Sequence, residues 1–260
     1  MVDKDILVSR IYLRAALPLI KVLAAEQPLY RKAFPKAGVL QFTTKENPEV
    51  GAYVAFEEGE LIVEPKIHEH PDLTVTFKKV ANLNAFFGGK MGPEVIPSFK
   101  GLRHIDLLLR VLPLLLGLKL LMPEAKPKTE EKRRLKVKLL LFMVTNALSQ
   151  LNKAGDPKFC KLTDKSPDRI FQWIVEGEPD HAAYLRVKNG KSKAGRGVYK
   201  RRRPFVLMKF PNIDGAYKVL TSEVPLVEAV SRGLVVTEGA MEGSKEIGYH
   251  MQRIEELTKV

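Results

Sequence analysis

Two segments of the chain place large apolar residues at every second position, as half-buried β-strands do. The clearer one is residues 72–77, in which threonines separate the apolar side chains, and the other is residues 204–210. A side-chain period of two predicts strands that bury one face. Residues 71–87, which hold the first strand and the helical pattern behind it, align with residues 204–220 without a gap. The sequence therefore predicts a long-period duplication, that is, two related domains and not a solenoid.

The other elements of the first half follow from the same periodicities and from turn residues. Residues 4–25 carry an apolar stripe at helical spacing and predict a helix that Pro18 interrupts. The remaining predicted elements are strands at 39–43 and 51–64, the latter folded as a hairpin at residues 57–60, a short helix that ends at Gly88-Gly89, an edge strand at 95–99 and a helix at 103–121.

A linker with two prolines, residues 122–129, separates the halves, and Thr129 is placed to cap the next helix. Asn189-Gly190 predicts a tight hairpin. The predicted elements of the second half are a helix to residue 153, strands at 170–175, 181–188, 191–198, 204–210 and 234–237, and helices at 212–222, 225–232 and 244–259. Each half thus predicts an α+β fold, a mostly antiparallel sheet with helices packed on one face, in domains 1–123 and 124–260.

This order of elements resembles the sterol carrier protein family, also called the sterol-transfer family, in two tandem and divergent copies. The likeness rests on the strand 72–77 with the helical segment 83–90, on the glycine-flanked strand 232–239, and on the amphipathic helix after it. The first copy departs from the pattern, because it lacks most of the middle helix and Pro97 interrupts its glycine-flanked strand. The resemblance implies that an acyl chain or sterol lies in an apolar tunnel between the sheet and the helices.

The resemblance also implies which side chains would line such a tunnel. They are apolar residues of the short helix and the closing helix in each copy, with one residue of the glycine-flanked strand. In the first copy these are Phe86, Phe87, Leu108, Leu109 and Leu112, and in the second they are Val219, Leu220, Val235, Met251 and Ile254. Apolar residues at spacings of three and four are equally typical of an ordinary filled core, so both interpretations stand at this point.

The predicted helix 103–121 is apolar on nearly every side. Such a helix is normally buried, in this case against the other domain. A second interpretation is a lid or membrane-docking helix at the place where lipid enters. Its most apolar part, residues 111–118, falls well short of the roughly 18 residues that a membrane-spanning helix needs.

The charge of the chain is positive and unevenly distributed. Residues 128–260 hold 26 basic and 16 acidic groups, whereas residues 1–127 hold 17 and 14, which together make the net charge of +13. Such a bias attracts anionic membrane, the phosphates of an acyl-CoA, or nucleic acid. Nucleic acid ranks last, because Tyr199 is the only aromatic residue interleaved with the charges. Eight cations form what we call the basic run: Lys188, Lys191, Lys193, Arg196, Lys200, Arg201, Arg202 and Arg203.

No sequence motif indicates catalysis, a metal site or a cofactor. Gly190-Lys191-Ser192 resembles the end of a phosphate-binding loop, but the first glycine of that motif would be residue 185, which is a leucine. His68 and His70 have no cysteine cluster beside them. The single cysteine, Cys160, suits a reducing compartment, the charged N-terminus is not a secretory signal, and the last residues are not a peroxisomal address. We therefore expect a cytoplasmic protein that is not an enzyme and uses no metal or cofactor.

The sequence thus predicts a protein that binds or transfers an apolar ligand, such as a fatty acid, an acyl-CoA or a sterol, and that contacts anionic membrane peripherally. Two alternatives remain open. The first is a protein–protein adaptor whose duplicated cores are filled, and the second is a nucleic-acid-binding protein that uses residues 188–203.

Overall fold

The structure, a computed structural model, describes residues 3–26, 36–90 and 92–258. The chain divides into two compact units, with the division between Met122 and Pro123. Each unit combines a five-stranded sheet with helices, which confirms the predicted α+β class. No helix in the described ranges is both long enough and apolar enough to cross a membrane.

The first unit contains nine elements that we label in chain order. They are α1 (Lys4–Ile11), α2 (Ile20–Glu26), β1 (Gly38–Thr44), β2 (Gly51–Glu57), β3 (Glu60–Glu64), β4 (Leu73–Phe77), α3 (Val80–Phe87), β5 (Ser98–Lys100) and α4 (Ile105–Gly117). A π-helical turn and a 3-10 turn that contains Pro18 connect α1 to α2. The irregularity falls where the sequence predicted it, because proline has no N–H for the α-helical ladder.

The second unit repeats this plan with a longer set of helices. Its elements are α5 (Glu130–Lys153), α6 (Pro157–Thr163), β6 (Arg169–Val175), β7 (Glu178–Lys188), β8 (Lys191–Arg196), β9 (Val206–Phe210), α7 (Ile213–Leu220), α8 (Leu226–Ser231), β10 (Val236–Gly239) and α9 (Met241–Thr258). The hydroxyl of Thr129 accepts a hydrogen bond from the N–H of Lys132 at 3.4 Å, so the predicted cap of α5 is present.

The two sheets have the same topology. Their strand orders are β3-β2-β1-β4-β5 and β8-β7-β6-β9-β10. In each sheet the first and fourth strands of the unit pair in parallel, and the other neighbours are antiparallel. Leu73 of β4 lies opposite Leu40 of β1, and Val206 of β9 lies opposite Phe171 of β6. The two strands that the gapless alignment relates therefore occupy the same place in the two sheets.

A buried glutamine has the same role in both units. The Oε1 atom of Gln41 in β1 accepts a hydrogen bond from the N–H of His68 at 2.7 Å. The Oε1 atom of Gln172 in β6 accepts one from the N–H of Tyr199 at 2.8 Å. The separation between glutamine and donor along the chain is the same in both pairs. In both units the glutamine thus ties the segment that follows the third strand to the first strand.

In both units a glycine at the end of the fifth strand packs against the backbone of the residue that precedes the fourth strand. Gly101 has φ +89° and Gly239 has φ +97°, a conformation that residues with a side chain rarely adopt. A Cβ atom at Gly101 would lie 2.0 Å from the carbonyl oxygen of Asp72, and one at Gly239 would lie 2.2 Å from that of Phe205. A larger residue at either position would force the fifth strand away from the sheet.

Two predicted strands lie two to three residues later than expected. The strand predicted at 95–99 is β5, which begins only after Pro97, since a 3-10 turn occupies Pro93–Val95. The strand predicted at 234–237 is β10, which begins at Val236. Its first predicted residue, Leu234, instead closes the end of α8 by donating its N–H to the carbonyl of Ala229 at 2.8 Å.

The sequence analysis missed helix α6. It predicted a helix to residue 153 and a strand from residue 170 with no element between them, whereas Asp156 and Pro157 begin α6. The carboxylate of Asp156 caps α6 by accepting a hydrogen bond from the N–H of Phe159 at 2.9 Å, and Pro157 occupies the first helical position. The Asp-Pro pair is a regular helix-start signal and could have identified α6.

Candidate functional site

The residues predicted to line a tunnel in the first unit do not come together. The rings of Phe86 and Phe87 join an aromatic cluster, with centroid distances of 5.2 Å from Phe86 to Phe77 and 5.4 Å from Phe87 to Phe42. Leu108 is half-buried, while Leu109 and Leu112 lie on the exposed side of α4. The structure thus corrects the placement of Leu109 and Leu112, because exposed side chains do not line an enclosed tunnel.

The corresponding residues of the second unit lie closer to its core. Val219, Val235 and Ile254 are buried, and Leu220 and Met251 are half-buried. Val219 and Leu220 lie in α7, Val235 directly precedes β10, and Met251 and Ile254 lie in α9. This placement suits both interpretations of the sequence, a filled core and the wall of a ligand site.

Helix α4, together with the 3-10 turns that precede and follow it at Leu102–His104 and Leu118–Leu121, has two apolar faces, of which one is exposed. The buried face carries Leu107, Val111, Leu114 and Leu118, each at most 6% exposed. Five further residues form the exposed face, which we call the apolar stripe: Leu102, Ile105, Leu109, Leu112 and Leu116. Their exposed fractions run from 38% to 62%, and their spacing alternates between three and four residues. The sequence alone favoured burial of the whole helix, and the structure shows that only one face is covered.

Further exposed apolar side chains and several charges lie close to the stripe in sequence. Ile96 and Phe99 precede it and are exposed. Three exposed cations lie at its ends: Lys100, Arg103 and Lys119. Asp106 forms an ion pair with Arg110 on the same helix, and Glu94 is the acidic residue in the turn before β5. The exposed charges near the stripe are therefore mainly positive. An exposed apolar patch with a polar rim is typical of a protein or membrane interaction site.

All eight members of the basic run lie on the surface, and two of them also contact residues outside the run. The guanidinium of Arg196 lies over the ring of Phe142 in α5, 4.8 Å from its centroid, and burial lowers its pKa. This follows from strand alternation, since Arg196 lies opposite Ala183, a fully buried residue. Arg202 forms an ion pair with Asp168 at 3.6 Å. The other six members are also exposed: Lys188, Lys191, Lys193, Lys200, Arg201 and Arg203.

A shallow pocket of about 410 Å³ lies between α6 and α9. Seven residues line it: Lys158, Lys161, Leu162, Lys245, Glu246, Tyr249 and His250. The ammonium of Lys158 donates a hydrogen bond to the hydroxyl oxygen of Tyr249 at 3.1 Å. The ring of His250 packs edge-on against Phe159 with centroids 4.8 Å apart. Phe159 lies in α6, the helix that the sequence analysis missed.

A buried ion pair lies next to this pocket. The guanidinium of Arg253 donates two hydrogen bonds to the carboxylate of Asp156, at 2.6 and 2.5 Å, and the carboxylate is 4% exposed. Burial alone would raise the pKa of Asp156. The hydrogen bonds from Arg253 and from the N–H of Phe159 outweigh burial, so that this pKa lies below its ordinary value. The pair therefore fixes α9 against the start of α6.

His250 should make the stability of the second unit depend on pH. Burial, with a smaller contribution from Arg253, lowers its pKa to about 4. The unfolded chain binds the proton with a pKa of about 6.5, so stability is unaffected above pH 7 and decreases between about pH 6.5 and 4. We expect a loss of about 2 kcal/mol in the free energy of unfolding from pH 7 to pH 5. Urea unfolding monitored by the fluorescence of Trp173, the single tryptophan, measures it.

The control is His250→Phe, which keeps an aromatic ring beside Phe159 and does not titrate. Burial also lowers the pKa of His181, so the wild type loses some stability at low pH for that reason as well. The difference between the two proteins in the pH dependence of the free energy of unfolding gives the contribution of His250. Equal pH dependence in the two proteins would contradict the prediction.

The described residues contain no group of three histidine, cysteine, aspartate or glutamate side chains that could hold a metal ion. The ring nitrogen Nδ1 of His68 accepts a hydrogen bond from the N–H of His70 at 3.1 Å, which places the two histidines in one turn. Burial raises the pKa of the Cys160 thiol, with Asp164 and Asp156 adding to the effect. A raised pKa disfavours the thiolate and so makes this cysteine a weak nucleophile.

No family model matches the chain, and no curated protein matches it. Several solved structures are similar to part of it, and two of them are structures of a sec-alkylsulfatase. One is the stereoselective inverting sec-alkylsulfatase Pisa1 from Pseudomonas sp., with 16% identity, a TM-score of 0.26, and coverage of 56% of this chain and 28% of that one. The other is a double mutant of the sec-alkylsulfatase PisA1, with 15% identity, a TM-score of 0.27, and coverage of 56% and 27%. The chain thus spans under a third of the length of the enzyme.

These similarities correct one expectation. From the sequence we expected a protein that is not an enzyme, and the solved structures that it resembles are those of an enzyme. We therefore no longer hold that catalysis is absent. TM-scores this low carry no argument about a reaction, and no activity is transferred from the alkylsulfatase to this chain.

Proposed function

We propose that this protein binds lipid at anionic membrane surfaces and holds an apolar ligand such as a fatty acid, an acyl-CoA or a sterol. The observation that carries the proposal is the apolar stripe of α4, which exposes five large aliphatic side chains on one side of a short helix. Helices that lie in the membrane interface combine an apolar face with nearby basic residues, and this helix has both features.

The magnitudes support membrane contact. Each partly exposed aliphatic side chain of the stripe gains on the order of 1 kcal/mol when the rest of its surface leaves water, so the five together supply about 5 kcal/mol. Each basic side chain near an anionic surface adds about 1 kcal/mol at most. The ends of the stripe carry Lys100, Arg103 and Lys119. Together these contributions suit reversible attachment, which a carrier needs in order to leave the membrane again.

The ligand part of the proposal rests on the resemblance to the sterol carrier family and on the second unit. In that unit Leu220 and Met251 are half-buried beside buried Val219 and Ile254, on the two helices that would enclose an acyl chain. Methionine repacks easily around ligands of different shape. In the first unit Phe86 and Phe87 pack in an aromatic cluster with Phe77 and Phe42. We therefore assign the ligand to the second unit and membrane contact to the first, and place the protein in the cytoplasm.

The test replaces two residues of the stripe with glutamate. Leu109 and Leu116 are 62% and 49% exposed, so Leu109→Glu together with Leu116→Glu should leave the fold intact. The binding assay is co-sedimentation with mixed vesicles of phosphatidylcholine and the anionic lipid phosphatidylserine. We expect the partition coefficient of the double variant to decrease at least tenfold. Val227→Glu, a change at an 86% exposed valine of α8, is the control and should leave vesicle binding within twofold of wild type.

Vesicle binding that is unchanged in the double variant, with an unchanged circular dichroism spectrum, would rule out docking through the stripe. The spacing of three and four residues in the stripe also suits packing against another helix, which favours the adaptor as the second candidate. That function predicts a different result. Wild-type protein would not bind vesicles, and the double glutamate variant would abolish a stoichiometric complex seen by size-exclusion chromatography.

A further inference from the structure

The pocket between α6 and α9 has a strong excess of positive charge. Three of its lining residues are lysines, Lys158, Lys161 and Lys245, and one is acidic, Glu246. Within the described part of the chain, neither Lys161 nor Lys245 has a carboxylate within 4 Å. Two ammonium groups without an acidic partner in one concave site produce a positive potential that favours an anion.

His250, one of the lining residues, has an unsatisfied polar atom. The residue is 4% exposed, and its Nδ1 atom is buried without a hydrogen-bond partner in the described structure. Buried polar atoms are nearly always paired, so Nδ1 would gain a partner if the ring shifted toward an anion in the pocket. The hydroxyl of Tyr249 accepts from Lys158 and keeps its own proton available for donation.

The remaining lining is apolar. Leu162 and the rings of Tyr249 and His250 contribute carbon surface beside the charged groups. The pocket is shallow, and its volume of about 410 Å³ leaves space for an organic group beside a phosphate- or sulfate-sized ion. The pocket therefore suits an anion that is attached to an organic group.

We propose that the pocket between α6 and α9 binds a phosphate- or sulfate-type oxyanion carried on a small organic group. Lys161 and Lys245 supply the charge, Lys158 positions the hydroxyl of Tyr249, and His250 forms the floor. The pocket contains neither a residue of the apolar stripe nor one of the basic run, so its variants can be tested separately from those of the stripe. The organic group is either a soluble ester or the headgroup of a lipid.

The test uses phenyl phosphate, with inorganic phosphate and phenol as separate probes, at constant ionic strength and pH 7. The ring signals of His250 and Tyr249 in ¹H–¹³C NMR spectra report occupancy of the pocket. We expect a saturable shift with phenyl phosphate, a weaker one with inorganic phosphate and none with phenol. An oxyanion beside His250 stabilises its imidazolium, so the measured pKa of His250 should rise when the probe is bound.

Two double variants with equal loss of charge separate this site from general attraction to a basic protein. Lys161→Gln with Lys245→Gln should weaken phenyl phosphate binding at least tenfold. Lys153→Gln with Lys165→Gln removes two exposed lysines that do not line the pocket. This control should change the affinity for phenyl phosphate less than twofold. Glu246→Gln removes the single carboxylate of the pocket and should strengthen binding about threefold.

The source of the anion is resolved with vesicles that contain phosphatidic acid. If Lys161→Gln with Lys245→Gln weakens vesicle binding and soluble phenyl phosphate also shifts His250, the site accepts both sources. If only the vesicles respond, the oxyanion is a lipid headgroup. The proposal is overturned if neither phenyl phosphate nor the vesicles give a saturable shift of the His250 signals. It is also overturned if the two double variants weaken binding equally. Neither result bears on the apolar stripe, because the variants of Leu109 and Leu116 test that separately.

Discussion

Replacing Arg253 with methionine should destabilise the second unit by about 3–5 kcal/mol. The substitution keeps most of the side-chain volume but leaves the carboxylate of Asp156, which is 4% exposed, without its cation. An unpaired buried charge costs far more than the ion pair contributes, because the carboxylate cannot recover its hydration. Asp156 also caps α6, so the variant should loosen both helices that form the pocket. Urea unfolding monitored by Trp173, which is 1% exposed in β6, measures the change.

The matched control is Arg232→Met. Arg232 forms an ion pair with Glu228 at 3.0 Å, but both side chains are about half-exposed. An exposed pair contributes at most about 1 kcal/mol, so this control should have little effect. The losses of stability caused by Arg253→Met and by Arg232→Met should also depend differently on pH. Without Arg253 the pKa of Asp156 rises, the carboxylate becomes protonated as the pH falls, and the penalty of Arg253→Met decreases. A penalty of under about 1 kcal/mol at pH 7 would contradict the role assigned to this pair.

Replacing Gln172 with leucine should destabilise the second unit by about 3 kcal/mol. The side chain is hydrogen-bonded at both ends in the described structure. Its Oε1 atom accepts from the N–H of Tyr199, and its Nε2 atom has two N–H groups to donate and lies within hydrogen-bond distance of three carbonyl oxygens, those of Trp173, Ala183 and Gly197. Each buried backbone group left without a partner costs about 1–3 kcal/mol, partly offset by the apolar replacement. Exchange of the Tyr199 amide proton with solvent should accelerate about a hundredfold, because the segment before β9 opens locally.

The same substitution in the first unit tests the equivalence of the two sheets. Gln41→Leu removes the acceptor of the His68 N–H, so the amide of His68 should lose protection as that of Tyr199 does in the other unit. The control is Gln252→Leu on the exposed side of α9, where the amide contacts only Glu256, and its effect should stay within about 0.5 kcal/mol. If the amides of His68 and Tyr199 keep their protection in these variants, the glutamines do not hold the segments in place.

The proposed functions occupy separate parts of the chain. The apolar stripe lies on α4 of the first unit, and the oxyanion pocket lies between α6 and α9 of the second. Such a division suits a duplicated fold, since one copy can change its surface while the other keeps a ligand site. It also means that variants in the two regions should have separable effects on vesicle binding and on phosphate binding.

Several parts of the structure were predictable because they depend on local residues alone. Alternation in residues 72–77 and 204–210 placed both fourth strands and identified their buried faces. Asn189-Gly190 and Glu58-Gly59 both adopt positive φ values and form hairpin turns where the sequence predicted them. The gapless alignment of 71–87 with 204–220 related two strands that prove to occupy equivalent positions in sheets of the same topology. Backbone conformation and side-chain alternation are set within a few residues, so a sequence reports them directly.

The features that carry the proposals depended on the tertiary structure. The pattern of α4 is apolar on nearly all sides, and only the packing of the first unit decides that Leu107 is covered and Leu109 is exposed. Arg196 and Arg202 are members of one basic run in the sequence, and only the tertiary structure brings them against Phe142 and Asp168, which are distant along the chain. The pocket required α6 and α9 to meet through residues about 90 positions apart. The sequence by itself determined the elements, their buried faces and the repeat, whereas exposure, charge pairing and the pocket follow from contacts between distant segments, which no local pattern encodes.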